Sequence, residues 1–209
     1  MSATVDAERF SKYLDGAKVL QVPGRTFPVS TMYLEDAIEL TGYSLDKGYE
    51  EKKYTDLDDD ADMDDVGKEG PKSADAKNLR AYSARTRNTI TQIDEYQIEY
   101  ELIQQLMINI ATEERFIRYS KAILVFLPGI AEIRVLNDML LGHPMFSSHW
   151  YVYPLHSTIA SEDQEAAFLV PPEGTRKIVL ATNIAETGIT IPDVTCVIDT
   201  GKHREMRYV

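Results

Sequence analysis

At 209 residues and 44 % hydrophobic content, the chain suits one sizeable globular domain, or one domain with an appendage. Its 34 acidic residues outnumber 22 basic ones, for a net charge of −12, which argues against non-specific nucleic-acid binding through a basic surface. A single cysteine rules out an internal disulfide, and no apolar run approaches the length of a membrane span.

The N-terminus, Met-Ser-Ala-Thr-Val-Asp-Ala-Glu, lacks the basic start and apolar core of a signal peptide. A reducing compartment and no membrane are therefore expected: the cytoplasm, with the nucleus as the alternative. Cys196, in an apolar strand, reads as a buried structural thiol.

Val5, Phe10, Tyr13 and Leu14 recur at near-helical spacing, which predicts a short helix over 5–14. Ala17–Val22 reads as a short strand, followed by the turn-rich connector Pro23-Gly24-Arg25-Thr26-Phe27-Pro28. Val29–Leu34 reads as a second strand and Glu35–Leu40 as a helical turn.

From about Tyr43 the pattern collapses. Seven of the ten residues from Asp56 to Asp65 are aspartate. Between Tyr43 and Lys72 eleven acids stand against five bases, half of the chain's acidic excess. Such a stretch buries too little apolar surface to offset its ordering entropy, so 43–88 is expected to be a disordered acidic insertion in a surface loop. It is read either as an arm for a basic partner or as a solvated loop.

Order is expected to return near Thr89. Ile93, Tyr96, Ile103, Leu106, Met107 and Ile110 predict an amphipathic helix over Asp94–Thr112. Glu113–Lys121 is a polar link. Ala122–Leu127 is a continuous apolar run of the kind found in buried parallel strands. Pro128-Gly129 opens a helix with Ile130, Ile133, Leu136 and Leu140 on one face. Trp150–Leu155 is a strand, Ser161–Phe168 a helix, Lys177–Leu180 a strand, Asn183–Thr187 a short helix and Val194–Asp199 a strand. This alternation predicts an α/β fold: a parallel sheet with right-handed crossovers, flanked by helices.

The stretch Ala181–Pro192 places Thr182, Asn183, Thr187 and Thr190 at the end of a buried strand. Small hydroxyl and amide side chains there, beside a helix N-terminus, suit phosphate oxygens, and ligands of open sheets sit at the carboxyl ends of strands. The other reading is a plain strand–helix–strand connection capped by Asn183.

The order of several blocks resembles the DEAH-box (DExH) RNA helicases of superfamily 2. The blocks are Ser2-Ala3-Thr4 (motif III), the connector Pro23–Val29, Leu124-Val125-Phe126-Leu127-Pro128-Gly129 (motif IV), Leu155-His156-Ser157 (IVa) and Thr182–Ile191 (motif V). The resemblance covers residues 1–41 and about 94–209. Thr-Gly-Ile-Thr-Ile-Pro-Asp-Val and Ile-Asp-Thr-Gly at 198–201 look most like the subgroup that helps the small ribosomal subunit to initiate on structured messenger RNA.

The resemblance implies two RecA-like domains that clamp ATP and grip single-stranded RNA. Residues 1–22 would be the tail of the first domain, and 23–42 the connector and start of the second. Residues 89–209 would be the rest of the second domain, ending before motif VI. Ser2, Ala3 and Thr4 would couple hydrolysis to domain movement. Thr182, Asn183, Ser157 and the backbone at Gly129 would contact RNA. Arg25 is read as an RNA contact or as a strut of the connector. Gly188, Thr190 and Asp193 would face the nucleotide, although Gly188 stands where many members have serine and Pro192-Asp193 departs from the commonest pattern. Glu186 is read as a network residue or as a plain helix acid.

There is no G-x-x-x-x-G-K-[ST] and no Asp-Glu-x-His block, and the four histidines lack the companions of a metal site. ATP and Mg²⁺ would be bound mainly by an absent first domain, so this chain alone is expected to be catalytically incomplete. RNA, the small ribosomal subunit and the missing helicase domains are the expected partners. A non-catalytic RecA-like module that binds RNA or a ribosomal partner is the alternative, and a structural nucleotide-binding protein is a third.

Overall fold

The computed structural model describes residues 6–20, 27–45, 79–156, 161–182 and 191–202, with the backbone alone described over 161–164. They fall into a sheet unit (Met1–Thr31 with Ile103–Val209) and a helical unit (Met32–Leu102).

Four parallel strands form the sheet: β1 (Ala122–Phe126), β2 (Trp150–Leu155), β3 (Arg176–Ala181) and β4 (Cys196–Asp199), in the order β2-β3-β1-β4. Both central strands are apolar through their length because both of their faces are covered. Ile123, Val125, Ile178 and Leu180 are fully buried. On the opposite face Leu124, Val179, Ala181 and Leu155 pack with Ala167 and Ile191.

Helix α1 is Ala7–Tyr13, capped by Asp6, whose carboxylate accepts from the Arg9 N–H at 3.0 Å; it has no buried residue. Helix α4 (Tyr100–Thr112) contributes Ile103, Met107 and Ile110 to the buried set. After β1, α5 (Ile130–Leu141) buries Ile133, Leu136 and Leu140, one apolar stripe at helical spacing. The Gln104 side-chain amide donates to the Met139 carbonyl at 3.1 Å, joining α4 to α5. Helix α6 (Ser161–Phe168) connects β2 to β3. The parallel α/β architecture is the expected one, and β2 and α6 carry the expected limits.

In the helical unit, α2 (Leu34–Thr41) packs on α3 (Ala84–Gln92). The Asp36 carboxylate accepts from the Tyr33 N–H and the Tyr82 hydroxyl, both at 2.8 Å. Glu39 accepts from the N–H of Ser83 (3.2 Å), from its hydroxyl (2.8 Å) and from the Thr86 hydroxyl. Tyr43 donates to Glu99 at 2.8 Å; burial foremost, then this carboxylate, pushes its phenol well above the ordinary range. Chain segments on either side of the acidic stretch are thus tied together. Gly42 ends α2 at φ 63°, a left-handed conformation that favours glycine.

Glu39 faces the N-terminus of α3, where a carboxylate complements the helix dipole. The bonds from Thr86 and then Ser83 hold its carboxyl below the ordinary value. A depressed folded pKa gives stability that is present above the unfolded value of about 4.3 and lost as pH falls through the folded value. Glu39→Gln is therefore expected to cost less than about 1 kcal/mol at neutral pH, given the exposure of the site. It should also remove the acid-dependent loss of amide-exchange protection in α3. Equal acid sensitivity in the variant would refute the assignment.

Four expectations change. Ala17–Leu20 and Val29–Tyr33 are not strands. A strand persists through ladder partners, and these segments pair with nothing among the described residues; Leu20 and Val29 are 86 % and 85 % exposed. The part of the first expected strand beyond Leu20 lies outside the described residues. The helix expected from Asp94 begins at Tyr100. Asp94 instead caps a turn, accepting from the Tyr96 N–H at 2.9 Å and the Gln97 side chain at 3.1 Å, and Tyr96 is exposed. Order resumes at Leu79, so α3 begins inside the segment expected to be disordered, held by the α2 contacts. Finally, β4 starts at Cys196; the Thr195 hydroxyl is turned to the Tyr119 carbonyl at 2.8 Å.

Candidate functional site at the carboxyl edge of the sheet

Three strand ends lie side by side. Leu155, Ala181 and Phe126 are in register, so His156, Thr182 and Leu127 follow on adjacent strands. The Leu127 N–H donates to the Ala181 carbonyl at 2.9 Å and carries the pairing one step past β1. Pro128 and buried Gly129 then turn the chain into α5, with Gly129 as N-cap in extended conformation (φ −172°, ψ 178°).

Glycine offers no capping side chain, and no side-chain bond caps this end. Backbone N–H groups of the first turn therefore point out of the carboxyl edge with the positive end of the helix dipole. Such an end attracts anions.

Thr182 occupies the strand end between these elements. It is 5 % exposed, and its hydroxyl has no hydrogen-bond partner. A buried hydroxyl left unpaired costs about 1–3 kcal/mol, so the position carries a polar group that the fold itself does not use. Beside it, β4 is closed back on β1: the Thr200 hydroxyl donates to the Phe126 carbonyl at 2.9 Å. The Gly201 N–H donates to Asp199 at 2.8 Å, with Gly201 at φ 66°.

Gly129 and Thr182 are thus brought to one edge. Asp193 is not with them. It lies three residues before β4, at the amino edge, separated from Thr182 by the length of β3, about 17 Å. Its carboxylate, 5 % exposed, faces the ammonium of Lys177 at 2.5 Å. Ser2, Ala3, Thr4, Arg25, Ser157, Asn183, Glu186, Gly188 and Thr190 lie outside the described residues.

Lys177 is what the sequence reading missed. It heads an apolar run and reads as a polar strand start, yet it is wholly buried in β3. A lysine inside a strand covered on both faces signals a buried partner, but not which acid supplies it. Cys196 is half-buried, and burial pushes its thiol upward, away from the reactive thiolate. Among the described residues no group of three or more His, Cys, Asp or Glu could hold a metal ion, and no helix is long and apolar enough to cross a membrane.

A four-stranded parallel α/β sheet with an anion-ready carboxyl edge defines the class of protein. Residues 100–207 match the helicase conserved C-terminal domain, and the chain belongs to that family. It is 41 % identical to human ATP-dependent RNA helicase DHX29, with all of this chain aligned to 16 % of that protein. Identity is 38 % to human putative ATP-dependent RNA helicase DHX57 and 39 % to mouse ATP-dependent DNA/RNA helicase DHX36. All of this chain again aligns, to 17 % and 21 % of their lengths. The kinship with DExH-type helicases expected from the motif order is therefore present. The chain spans about a sixth to a fifth of these relatives.

Proposed function

We propose that this chain supplies the second RecA-like domain of an ATP-dependent RNA helicase, in which ATP hydrolysis drives translocation on RNA or its unwinding. Residues 1–22 are read as the tail of a preceding domain and 23–42 as the connector. The single observation that carries the RNA reading is the buried, unpartnered Thr182 hydroxyl at the carboxyl edge, beside the open N-terminus of α5. A short hydroxyl and backbone N–H groups hold a phosphate without reading a base, as a translocating enzyme requires. Asn183 and Ser157 extend this grip in the same reading, with Arg25 as contact or strut.

ATP and Mg²⁺ belong mainly to a preceding domain. Gly188 and Thr190 are assigned to the nucleotide side, and Ser2, Ala3 and Thr4 to coupling. Asp193 is assigned to its lysine instead. The relation to DHX29 supports RNA bound on the small ribosomal subunit as the working context, in the cytoplasm.

The test is Thr182→Val in the full-length protein. Affinity for single-stranded oligouridylate, followed by fluorescence anisotropy, should fall about 5- to 10-fold, the value of one hydrogen bond to a charged group. An unchanged affinity would sink the assignment of Thr182 to RNA.

A further inference from the structure

The one wholly buried cation among the described residues is Lys177, and the carbonyl edge just described makes no use of it. Its ammonium donates to the Ala167 carbonyl at 2.9 Å and to the Leu169 carbonyl at 3.0 Å. These carbonyls end α6, where a cation complements the helix dipole. The third contact is Asp193 at 2.5 Å. Neither carboxylate oxygen of Asp193 receives a hydrogen bond of good geometry, so the aspartate depends on Lys177 through charge alone. Residue 193 closes a chain that leaves the sheet at Thr182 and returns through Ile191, which is packed in the core.

We propose that the Lys177–Asp193 pair is a positioning device: it anchors the returning end of the crossover from β3 to β4 and so holds Thr182, at the crossover's other end, in register with the carboxyl edge. Resting on the helicase reading above, the pair acts through Thr182 and touches neither nucleotide nor RNA. Removing the lysine leaves a carboxylate buried without compensation, which draws residues 191–194 toward water. Replacing both charges with apolar side chains of similar size removes the conflict and keeps the packing.

The experiment is a double-mutant cycle in the full-length protein: Lys177→Met, Asp193→Asn, and the Lys177→Met/Asp193→Leu pair. Two readouts are taken: thermal melting, and the oligouridylate dependence of ATP turnover at a temperature where every variant is folded. Both single variants should melt several degrees lower. Both should also need about 5- to 10-fold more RNA for half-maximal stimulation, the coupling expected of a network contact. The pair should restore both quantities to within about twofold of the parent.

A merely structural ion pair would shift melting and leave the RNA dependence of the folded variants unchanged. Asp193→Asn raising the KM for ATP, with Lys177→Met silent, would make Asp193 a nucleotide ligand. Either result overturns the proposal, as does a double variant no better than the singles. A parent without RNA-stimulated turnover would refute the helicase reading instead, and the melting cycle would then decide the pair by itself.

Discussion

Leu180→Ala is expected to lower the stability of the sheet unit by about 3–4 kcal/mol, read as a shift in the urea midpoint with unchanged slope. The magnitude follows from topology. Leu180 is fully buried in β3, which has β2 on one side and β1 on the other. It is in register with Val125 and Pro154. Removing three carbons there opens a cavity lined from both neighbouring strands, and a central strand cannot move inward to fill it. Val197→Ala is the control. Val197 lies on β4, the outer strand of this sheet, and is 54 % exposed, so its truncation should stay within about 0.5 kcal/mol. Equal losses at the two sites would mean that the sheet is not packed as described.

The second expected result runs the other way. Thr182→Val should raise thermal stability by about 1 kcal/mol while it weakens RNA binding. The two side chains have nearly the same shape, and the hydroxyl exchanged for a methyl is buried without a partner. Its removal relieves a desolvation cost that the folded chain carries. Sites kept polar against their own stability are where a ligand provides the missing bond. A destabilised Thr182→Val would show that the hydroxyl is already satisfied within the fold, and the RNA assignment would lose its physical basis.

Local pattern was enough where one element supplies its own evidence. Ala122–Phe126 is apolar at every position, and a strand buried on both faces has no other composition. Ile133, Leu136 and Leu140 mark one face of α5 because helical spacing puts them there. The pattern misled where a partner was needed. Val19, Leu20 and Val29 have strand composition, but no described strand lies beside them, and they remain exposed. Ile93 and Tyr96 continue a helical spacing whose first turns are pre-empted by the Asp94 side chain, which offers the backbone a competing turn.

At the site, the strand end and its small polar residues were visible in Thr182 and Gly129. The fate of Asp193 was not. Motif position places it with Thr190, whereas the fold returns it to the opposite edge and against Lys177.

By itself the sequence determined the α/β class, the succession of strands and helices from β1 onward, and the kinship with helicases. These rest on periodicity and short motifs, which are local. Only the tertiary structure decided which charges meet. Lys177 with Asp193 and Glu39 with Ser83 are contacts between separate elements. Coulomb attraction and hydrogen bonds act through space, and burial sets their strength, so no spacing along the chain records them.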